Sequence, residues 1–269
     1  MKSVQYNNIH LLQFRSLSNE SLFHFTSTIK GGVSQGTYTS LNLSPYSGDN
    51  PDAVNENQEC IANIMGISVE NLYIPYQVHK DNILTIDKSF LQKSDLEKLT
   101  LMNGIDALVT DQKEIFIGIA TADCVPLLIF DPKKKVLATI HAGWKGTVLG
   151  IAEKTVKKMI EQYHCTPQDL LVGIGPCISQ KIFEVGDEVT KAFIENGFDE
   201  KEISYRNSVS GKSHINLELA NKILLTKAGI PEQNIEIANI CTYSNPEILF
   251  SARRQTIHSG RMLTGGIIK

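Results

Sequence analysis

The sequence lacks any Cys-x-x-Cys pair, and its five cysteines form an odd, irregularly spaced set. That pattern excludes a disulfide framework of the kind found in small secreted domains. Residues 1–8 also lack the basic-then-apolar layout of a secretory signal peptide. We therefore expect a reduced, cytoplasmic protein whose thiols are core residues or metal ligands.

Neither sign of charge is in large excess, and no apolar run is long. The 26 lysines and arginines against 29 aspartates and glutamates leave a net charge of −3, which argues against a nucleic-acid-binding surface. The longest apolar runs, 115–120 and 125–130, are far shorter than the roughly 20 residues that a transmembrane helix needs. We expect neither nucleic acid nor membrane as a partner.

What the chain does have is the composition of a folded protein, with 42% apolar and 20% charged residues. Its 269 residues contain no internal repeat, low-complexity tract or linker-like segment, so we predict a single domain over residues 1–269. Residue patterns alternate between helical and strand periods. This indicates the α+β (mixed α/β) class, with mixed β-sheets flanked by helices.

Three β-rich runs joined by short turns, 115–121, 125–130 and 136–141, predict a meander, with the lysines at 133–135 in a solvated hairpin turn. A further strand is predicted over 170–174. Helical spacing predicts helices over 53–65, 148–163 and 216–228.

The meander would bring a thiol and an imidazole together. Cys124 opens its middle strand and His141 closes its third, so the two can lie on neighbouring strands roughly 5 Å apart. Such a pair can be two metal ligands or a nucleophile with its base. A buried cysteine beside a surface histidine is the alternative, and spacing alone leaves these readings open.

The segment after His141 is a glycine-containing turn that leads into the predicted 148–163 helix. Gly143 and Gly146 would let the backbone approach a ligand closely, and Lys145 adds positive charge. Thr147 is the expected N-cap of a helix start that attracts anions.

A second glycine-containing loop and a set of arginines lie nearer the C-terminus. Loop 173–179 contains Cys177, which we interpret as a packing residue. Arg253, Arg254 and Arg261 gather near the end of the chain. Their planar guanidinium groups suit phosphate or carboxylate, with surface ion pairs as the other interpretation.

Taken together, these motifs resemble the YfiH/YlmD family, whose vertebrate relative is known as FAMIN. The hallmark pair is Thr-Ala-Asp-Cys-Val-Pro at 121–126 with His-Ala-Gly-Trp-Lys-Gly at 141–146. Further segments match in order: 31–34, 40–43, 48–49, 77–79, 106–110, 175–178, 183–186, 241–242, 250–253 and 260–262. The family was long labelled multicopper polyphenol oxidase (laccase) and was later recognised as purine nucleoside phosphorylases.

The resemblance implies a fold like that of the cytotoxic necrotizing factor deamidases and a zinc site made by His79, Cys124 and His141. Residue spacing could not by itself have selected His79. Three ligands leave one position of a tetrahedral zinc open, as in catalytic sites, and copper can bind the same donors. His10, His24, His164, His214 and His258 match no ligand motif.

The implied reaction is phosphorolysis of adenosine, inosine and S-methyl-5'-thioadenosine by inorganic phosphate, with adenosine deaminase as an accompanying activity. The three metal ligands are then catalytic, and Asp123 or Glu184 is a candidate for assisting proton transfer. Strand alternation points Asp123 away from the face of Cys124 unless the chain turns there. The candidates for binding phosphate or ribose oxygens are Lys145, Arg253 and Arg261.

Two residues depart from the family pattern. Gln58 stands where relatives usually have arginine, so anion binding must rely on other residues if that arginine contributes to it. Ala252 replaces an aromatic residue that often precedes the arginine at 253, and we expect this change to reshape the pocket wall.

Three other functions are open from the sequence. Cys124 and His141 can act as nucleophile and base of a metal-independent cysteine hydrolase or deamidase. A copper-binding polyphenol oxidase is the second, although no two of the seven histidines are two residues apart, as the His-x-His pairs of a trinuclear copper cluster require. The third is a non-catalytic, metal-stabilised binding protein. We expect a monomer or homodimer.

Overall fold

Two six-stranded mixed β-sheets lie face to face, with helices on their outer sides, in the computed structural model, which describes Met1–Lys269. Mixed sheets flanked by helices confirm the predicted α+β (mixed α/β) class. None of the helices combines the length and the apolar character needed to cross a bilayer.

The strands are, in chain order, β1 (Lys2–Tyr6), β2 (Ile9–Gln13), β3 (Leu22–Ser27), β4 (Leu72–Tyr73), β5 (Ile83–Thr85), β6 (Ala107–Thr110), β7 (Phe116–Thr121), β8 (Val125–Asp131), β9 (Val136–Ala142), β10 (Leu171–Ile174), β11 (Glu184–Val185), β12 (Ser204–Arg206), β13 (Ser213–Ile215), β14 (Ile235–Ile237) and β15 (Met262–Ile268). The α-helices are α1 (Pro51–Met65), α2 (Lys88–Leu91), α3 (Asp95–Leu101), α4 (Trp144–Val148), α5 (Ile151–Tyr163), α6 (Asp187–Glu195), α7 (Glu200–Ile203), α8 (Leu217–Lys227) and α9 (Ala252–Gln255).

Strand order is β1-β2-β3-β15-β7-β4 in the first sheet and β14-β10-β8-β9-β6-β5 in the second, and a small third sheet has the order β11-β13-β12. The pairs β4–β7, β5–β6 and β10–β14 are parallel, and all other pairs are antiparallel. Parallel pairs at the sheet margins make both large sheets mixed.

Side-chain alternation along β8 separates two apolar cores. Val125, Leu127 and Ile129 belong to the core that the second sheet shares with α5 and α8. Leu128 and Phe130 point the other way, into the core between the two large sheets. A third core covers the outer face of the first sheet under α1, so the layers run helix, sheet, sheet, helices.

Most of the elements predicted by local pattern are present. The 53–65 helix is α1, which begins two residues earlier because Pro51 stands in its first turn and the side chain of Asn50 accepts from the N–H of Asp52 at 2.8 Å. Gly66 ends it in the left-handed conformation. The strand at 170–174, the helix at 216–228 and the hairpin turn of lysines are confirmed as β10, α8 and the β8–β9 connection.

The predicted three-strand meander is wrong in one respect. β8 and β9 form the expected hairpin, but β7 belongs to the other sheet, between β15 and β4. The C-terminal strand β15 pairs with β7 from Met262 to Ile267, and such a non-local partner leaves no signal in the pattern around residue 120. The chain passes between the sheets at Asp123, whose φ is +90°.

The predicted 148–163 helix is present as α5, which begins three residues later than expected, and Val148 belongs to the separate helix α4. α4 ends at Val148, and α5 begins after Gly150, which has a φ of +74°. Thr147 is therefore not an N-cap: it lies inside α4, and its hydroxyl donates to the Gly143 carbonyl at 3.0 Å. The N-cap residue of α4 is Gly143. Because α4 has only five residues, few peptide dipoles are aligned along it, and its N-terminus attracts anions weakly.

Because His24 is buried, we expect the folded protein to lose stability in acid. Its Nε2 accepts from the Phe14 N–H at 3.0 Å, and burial lowers its pKa from 6.5 to about 4. Between these pH values the unfolded chain binds a proton that the folded chain does not, so stability falls as the pH drops from about 6.5 towards 4, by about 3 kcal/mol in total.

The variant His24→Gln keeps an acceptor without titrating, so we expect it to remove most of this acid loss. Urea unfolding of both proteins at pH 7 and at pH 4.5 measures the effect, and His10→Gln on neighbouring β2 is the control. An equal loss of stability in wild type and His24→Gln would contradict the assignment.

Candidate metal centre and substrate cavity

Three side chains able to bind a metal converge at one end of the β8–β9 hairpin. His79, Cys124 and His141 place their ligand atoms within 4.8 Å of one another, and this is the one such group of histidine, cysteine or acidic residues. Cys124 immediately precedes β8, and His141 of β9 is in register with Pro126. The predicted proximity of Cys124 and His141 is confirmed. His79 arrives from the loop between β4 and β5.

Asp106, which immediately precedes β6, orients His141. The carboxylate is fully buried, and its Oδ1 lies 2.7 Å from Nδ1 of His141. A proton on Nδ1 donated to this carboxylate leaves Nε2 of His141 free to bind a metal. A histidine paired with a buried carboxylate in this way is the usual outer layer of a metal site.

The same carboxylate also holds the loop that carries His79. It accepts from the backbone N–H groups of Val78 at 3.3 Å, His79 at 2.9 Å and Lys80 at 2.8 Å. These bonds stabilise a backbone in which His79 has a φ of +61°. One buried acid therefore positions two ligands that are distant in sequence. Burial opposes its ionisation, but the hydrogen bonds from His141, Lys80 and His79 keep the pKa of Asp106 below its ordinary value.

The surroundings of the Cys124 thiol favour its ionisation. Burial opposes its ionisation, but His141 and His79 outweigh that effect and lower the pKa of Cys124 to about 6. The thiolate and Asp106 in turn raise the pKa of His141 against the effect of its burial. One thiolate and two imidazoles are a donor set suited to zinc and to copper. The three side chains therefore fit a metal ion of this kind.

Gly143 is required by the closeness of two ligands. A Cβ at this position would lie 2.9 Å from Cδ2 of His79 and 3.0 Å from Sγ of Cys124. Its φ of −65° is open to any residue, so the demand for glycine is one of space. The expected close approach of the backbone is thus present, and it is to the side chains of the site.

We expect Gly143→Ala to lower the catalytic rate about 100-fold, since a displacement of about 1 Å at reacting groups has an effect of that size. Metal affinity measured by chelator competition should fall as well. The matched control is Gly186→Ala, because Gly186 precedes α6 with similar backbone angles and the three atoms nearest to an added Cβ all belong to the carboxylate of Glu188, an exposed side chain that can turn away. Equal losses in both variants would contradict a specific role for Gly143.

A cavity of about 570 Å³ opens on these three side chains. This volume lies in the range of sites for small molecules. Half of its lining residues are apolar, and Asp123 is the one acidic residue among them. The polar and apolar walls together suit a ligand that has both polar and apolar parts.

The guanidinium groups of two arginines on the cavity wall have no acidic partner. The Arg253 guanidinium donates only to the backbone carbonyls of Ile182 and Glu184, at 3.3–3.5 Å. Arg261 donates to carbonyl and hydroxyl oxygens of its own segment, 257–260. Neither forms a salt bridge with an aspartate or glutamate, and both line the cavity. Arg254, in contrast, holds the carbonyls of Thr242, Tyr243 and Leu249, outside the cavity.

Asp123 lines the cavity because the chain turns there, the condition on which its predicted role depended. Its Oδ1 accepts from the Thr242 hydroxyl at 2.5 Å and its Oδ2 from the Arg253 N–H at 2.7 Å. The carboxylate therefore fastens the start of α9 next to Cys124.

Several other candidate residues lie outside the cavity lining. The Glu184 carboxylate accepts from the Ser210 hydroxyl at 2.6 Å, and Lys145 extends over the ring of Trp144. Gln58, which lies on α1, donates from its side-chain amide to the carbonyl of Leu43. Cys177 is buried in the core beneath the second sheet, as its interpretation as a packing residue requires. Ala252 does form part of the wall.

Known proteins are similar to this chain in sequence and in fold. The family described as multi-copper polyphenol oxidoreductase laccase matches residues 23–269. The chain belongs to this family. It is 42% identical to a purine nucleoside phosphorylase of Bacteroides thetaiotaomicron over 96% of both chains. It is 39% identical to the adenosine deaminase RL5 of an unknown prokaryotic organism, over 89% of this chain and 91% of that protein.

Structural similarity agrees with the sequence match. The structure of YlmD from Geobacillus stearothermophilus superposes with a TM-score of 0.90 at 28% identity, covering 99% of this chain and 98% of that one. The resemblance to the YfiH/YlmD family is thereby confirmed. The family description mentions several coppers, but this chain brings together a single group of three metal-binding side chains.

Sequence reasoning assigned no role to Asp106. A signal was present, because an aspartate directly before the apolar run Ala-Leu-Val enters a buried strand and a buried carboxylate needs partners. Its actual partners, His141 and the loop of His79, could not be read from spacing.

Proposed function

We propose that this protein is a zinc-dependent purine nucleoside phosphorylase. Inorganic phosphate would cleave adenosine, inosine and S-methyl-5'-thioadenosine to the free base and ribose 1-phosphate or its methylthio analogue. The observation that carries the proposal is the meeting, in one cavity, of three metal ligands with two arginines that lack acidic partners. The printed names of the relatives support the same reading. Cavity residues run from Ser44 to Arg261, which supports one catalytic unit over 1–269.

Zinc is the ion that we assign to His79, Cys124 and His141. A set of three protein ligands is typical of catalytic zinc, since one position stays open to a substrate atom. When bound, the ion supplies Lewis acidity towards an oxygen of the substrate. Copper can take the same donors, since it generally binds nitrogen and sulfur ligands more tightly.

Arg253 and Arg261 are assigned to the phosphate. Each guanidinium carries a full positive charge whose hydrogen-bond partners are neutral oxygens, so a dianion in the cavity is the counter-charge that the wall lacks. Holding phosphate and nucleoside in one cavity makes the displacement effectively unimolecular. Asp123 positions the Arg253 segment, and Glu184 and Lys145 have no part in this assignment.

Adenosine deamination is the second candidate activity, favoured by the relative named adenosine deaminase. A metal-independent hydrolase remains the alternative for the same residues, because the lowered pKa of Cys124 beside His141 also suits a nucleophile. Phosphorolysis differs from both in requiring phosphate.

The test is product analysis with zinc-loaded protein and each nucleoside, with and without phosphate. Free base and sugar 1-phosphate formed only with phosphate support the proposal, whereas ammonia released without phosphate supports deamination. Turnover that survives metal removal but not thiol alkylation would favour the cysteine hydrolase. Catechol oxidation by copper-loaded protein would favour the polyphenol oxidase.

We expect Arg253→Met and Arg261→Met each to raise the KM for phosphate about 10-fold or more, because a charge-assisted hydrogen bond contributes about 1.5–3 kcal/mol. Initial rates at varied phosphate measure this effect. Arg206→Met is the control, because Arg206 pairs with Asp187 at 3.0 Å away from the cavity. An unchanged KM for phosphate in both cavity variants would contradict the assignment.

A further inference from the structure

Two tyrosines form an aromatic wall on one side of the cavity. The rings of Tyr46 and Tyr76 meet edge to face, with centroids 5.1 Å apart, and both line the cavity. They remain 38% and 46% exposed. Rings of this size usually lie more deeply buried, so this wall, the Tyr46–Tyr76 pair, presents aromatic surface to whatever occupies the cavity.

Two backbone hydrogen bonds hold Tyr76 in place. The Tyr76 N–H donates to the Met102 carbonyl at 3.1 Å, and its own carbonyl accepts from the Gly104 N–H at 2.8 Å. Tyr76 stands three residues before His79, so their Cα atoms are at most about 11 Å apart. The aromatic wall therefore adjoins the metal ligands on the side of His79.

The third ring of the lining, Phe183, is in a different situation. The guanidinium of Arg253 lies over it at 5.7 Å, so a cation already occupies one face of the ring. Arg253 follows Ala252 in the segment that Asp123 fastens beside Cys124. The three metal-binding side chains are thus connected to the tyrosines through His79 and to Arg253 through Asp123.

We propose that the Tyr46–Tyr76 pair binds the purine base of the nucleoside by aromatic stacking. This inference rests on the proposed function and names the part of the site that recognises the base. In phosphorolysis the bond that breaks lies between an aromatic base and a sugar carbon attacked by phosphate. The cavity that opens on the three metal-binding side chains is lined both by this aromatic pair and by two cationic side chains, Arg253 and Arg261, so it offers contacts for a base and for phosphate.

The experiment compares Michaelis constants for inosine and for phosphate in Tyr46→Leu, Tyr76→Leu and the corresponding phenylalanine variants. Stacking of a base on an aromatic side chain contributes about 1–3 kcal/mol, so each leucine variant should raise the KM for inosine about 5- to 150-fold. The kcat at saturation and the KM for phosphate should stay within about twofold. Phenylalanine should restore the wild-type KM for inosine.

Tyr205→Leu is the matched control, because Tyr205 is 43% exposed and stacks on His214 outside the cavity. A rise in the KM for inosine in Phe183→Leu but not in the tyrosine variants would overturn the proposal and place the base at Phe183 instead. Equal rises in both Michaelis constants would also overturn it.

Calorimetric binding of free adenine separates this proposal from the proposed function, because it needs no turnover. Weaker adenine binding by the leucine variants supports the base site even if the wild-type protein cleaves no nucleoside. Equal binding by wild type and leucine variants, or no adenine binding by the wild type, would overturn it.

Discussion

Replacing Cys124 by serine is expected to remove the bound metal and to lower kcat/KM for phosphorolysis about 1000-fold, which corresponds to about 4 kcal/mol of transition-state stabilisation. The thiolate is the only anionic ligand among His79, Cys124 and His141. A serine hydroxyl stays protonated at neutral pH, so the site loses both its charge and its sulfur donor. Metal analysis after gel filtration and initial rates with inosine measure the two effects.

The variant His79→Ala should give the same double loss, because two remaining ligands cannot hold the ion tightly. The matched control is Cys60→Ser, since Cys60 is a half-buried thiol of α1 that does not line the cavity; it should keep metal and activity. Full phosphorolysis by metal-free Cys124→Ser would show that neither the metal nor the thiol takes part. Wild-type protein that stays fully active after chelation would refute the metal requirement alone.

Replacing Asp106 by asparagine is expected to weaken zinc binding about 10- to 100-fold, the usual effect of changing the group behind a ligating histidine. In the wild-type protein the Asp106 carboxylate accepts from the backbone N–H groups of Val78, His79 and Lys80. The side-chain amide of asparagine would turn its own N–H groups towards some of these donors. Stability should fall as well, by about 2–4 kcal/mol, since buried donors lose their acceptor. Chelator competition and urea unfolding of the metal-free protein measure the two effects separately.

Asp131→Asn is the control for Asp106. Asp131 is also a buried aspartate at a strand end, and its Oδ1 accepts from the N–H groups of Lys133 and Lys134 at 2.9 Å. It should lose stability and keep zinc affinity. Nitrogen chemical shifts of His141 provide a further readout, because Asp106→Asn should disturb the Nδ1-protonated tautomer. Unchanged zinc affinity and an unchanged tautomer would mean that Asp106 serves the fold alone.

The residues that were easiest to place from sequence are those joined by short connections. Cys124 and His141 flank a hairpin whose turn is Asp131 to Val136, and a hairpin sets its own register. Similarly, α1 carries its own start and stop signals at Asn50, Pro51 and Gly66. Local chemistry is sufficient for such elements because their partners lie within a few residues.

The structure differs from the sequence-based prediction at the sheet partners of β7 and at the start of α5. β7 was placed in the meander because the chain between it and β8 is short, yet its partners are β4 and β15. The break between α4 and α5 turns on Gly150 and its left-handed backbone, which helical spacing in the flanking residues conceals.

By itself, the sequence determined the class of fold, the hairpin that pairs Cys124 with His141, and, through its ordered motifs, the family, whose resemblance implied His79 as the third candidate ligand. Tertiary structure alone decided that Asp106 holds both histidines, that Asp123 binds Thr242 and Arg253, and that two arginines face the same cavity as the tyrosine pair. The physical reason is distance along the chain. Periodicity and turn chemistry report on neighbours a few residues apart, whereas this cavity joins segments more than 200 residues apart once two sheets pack face to face.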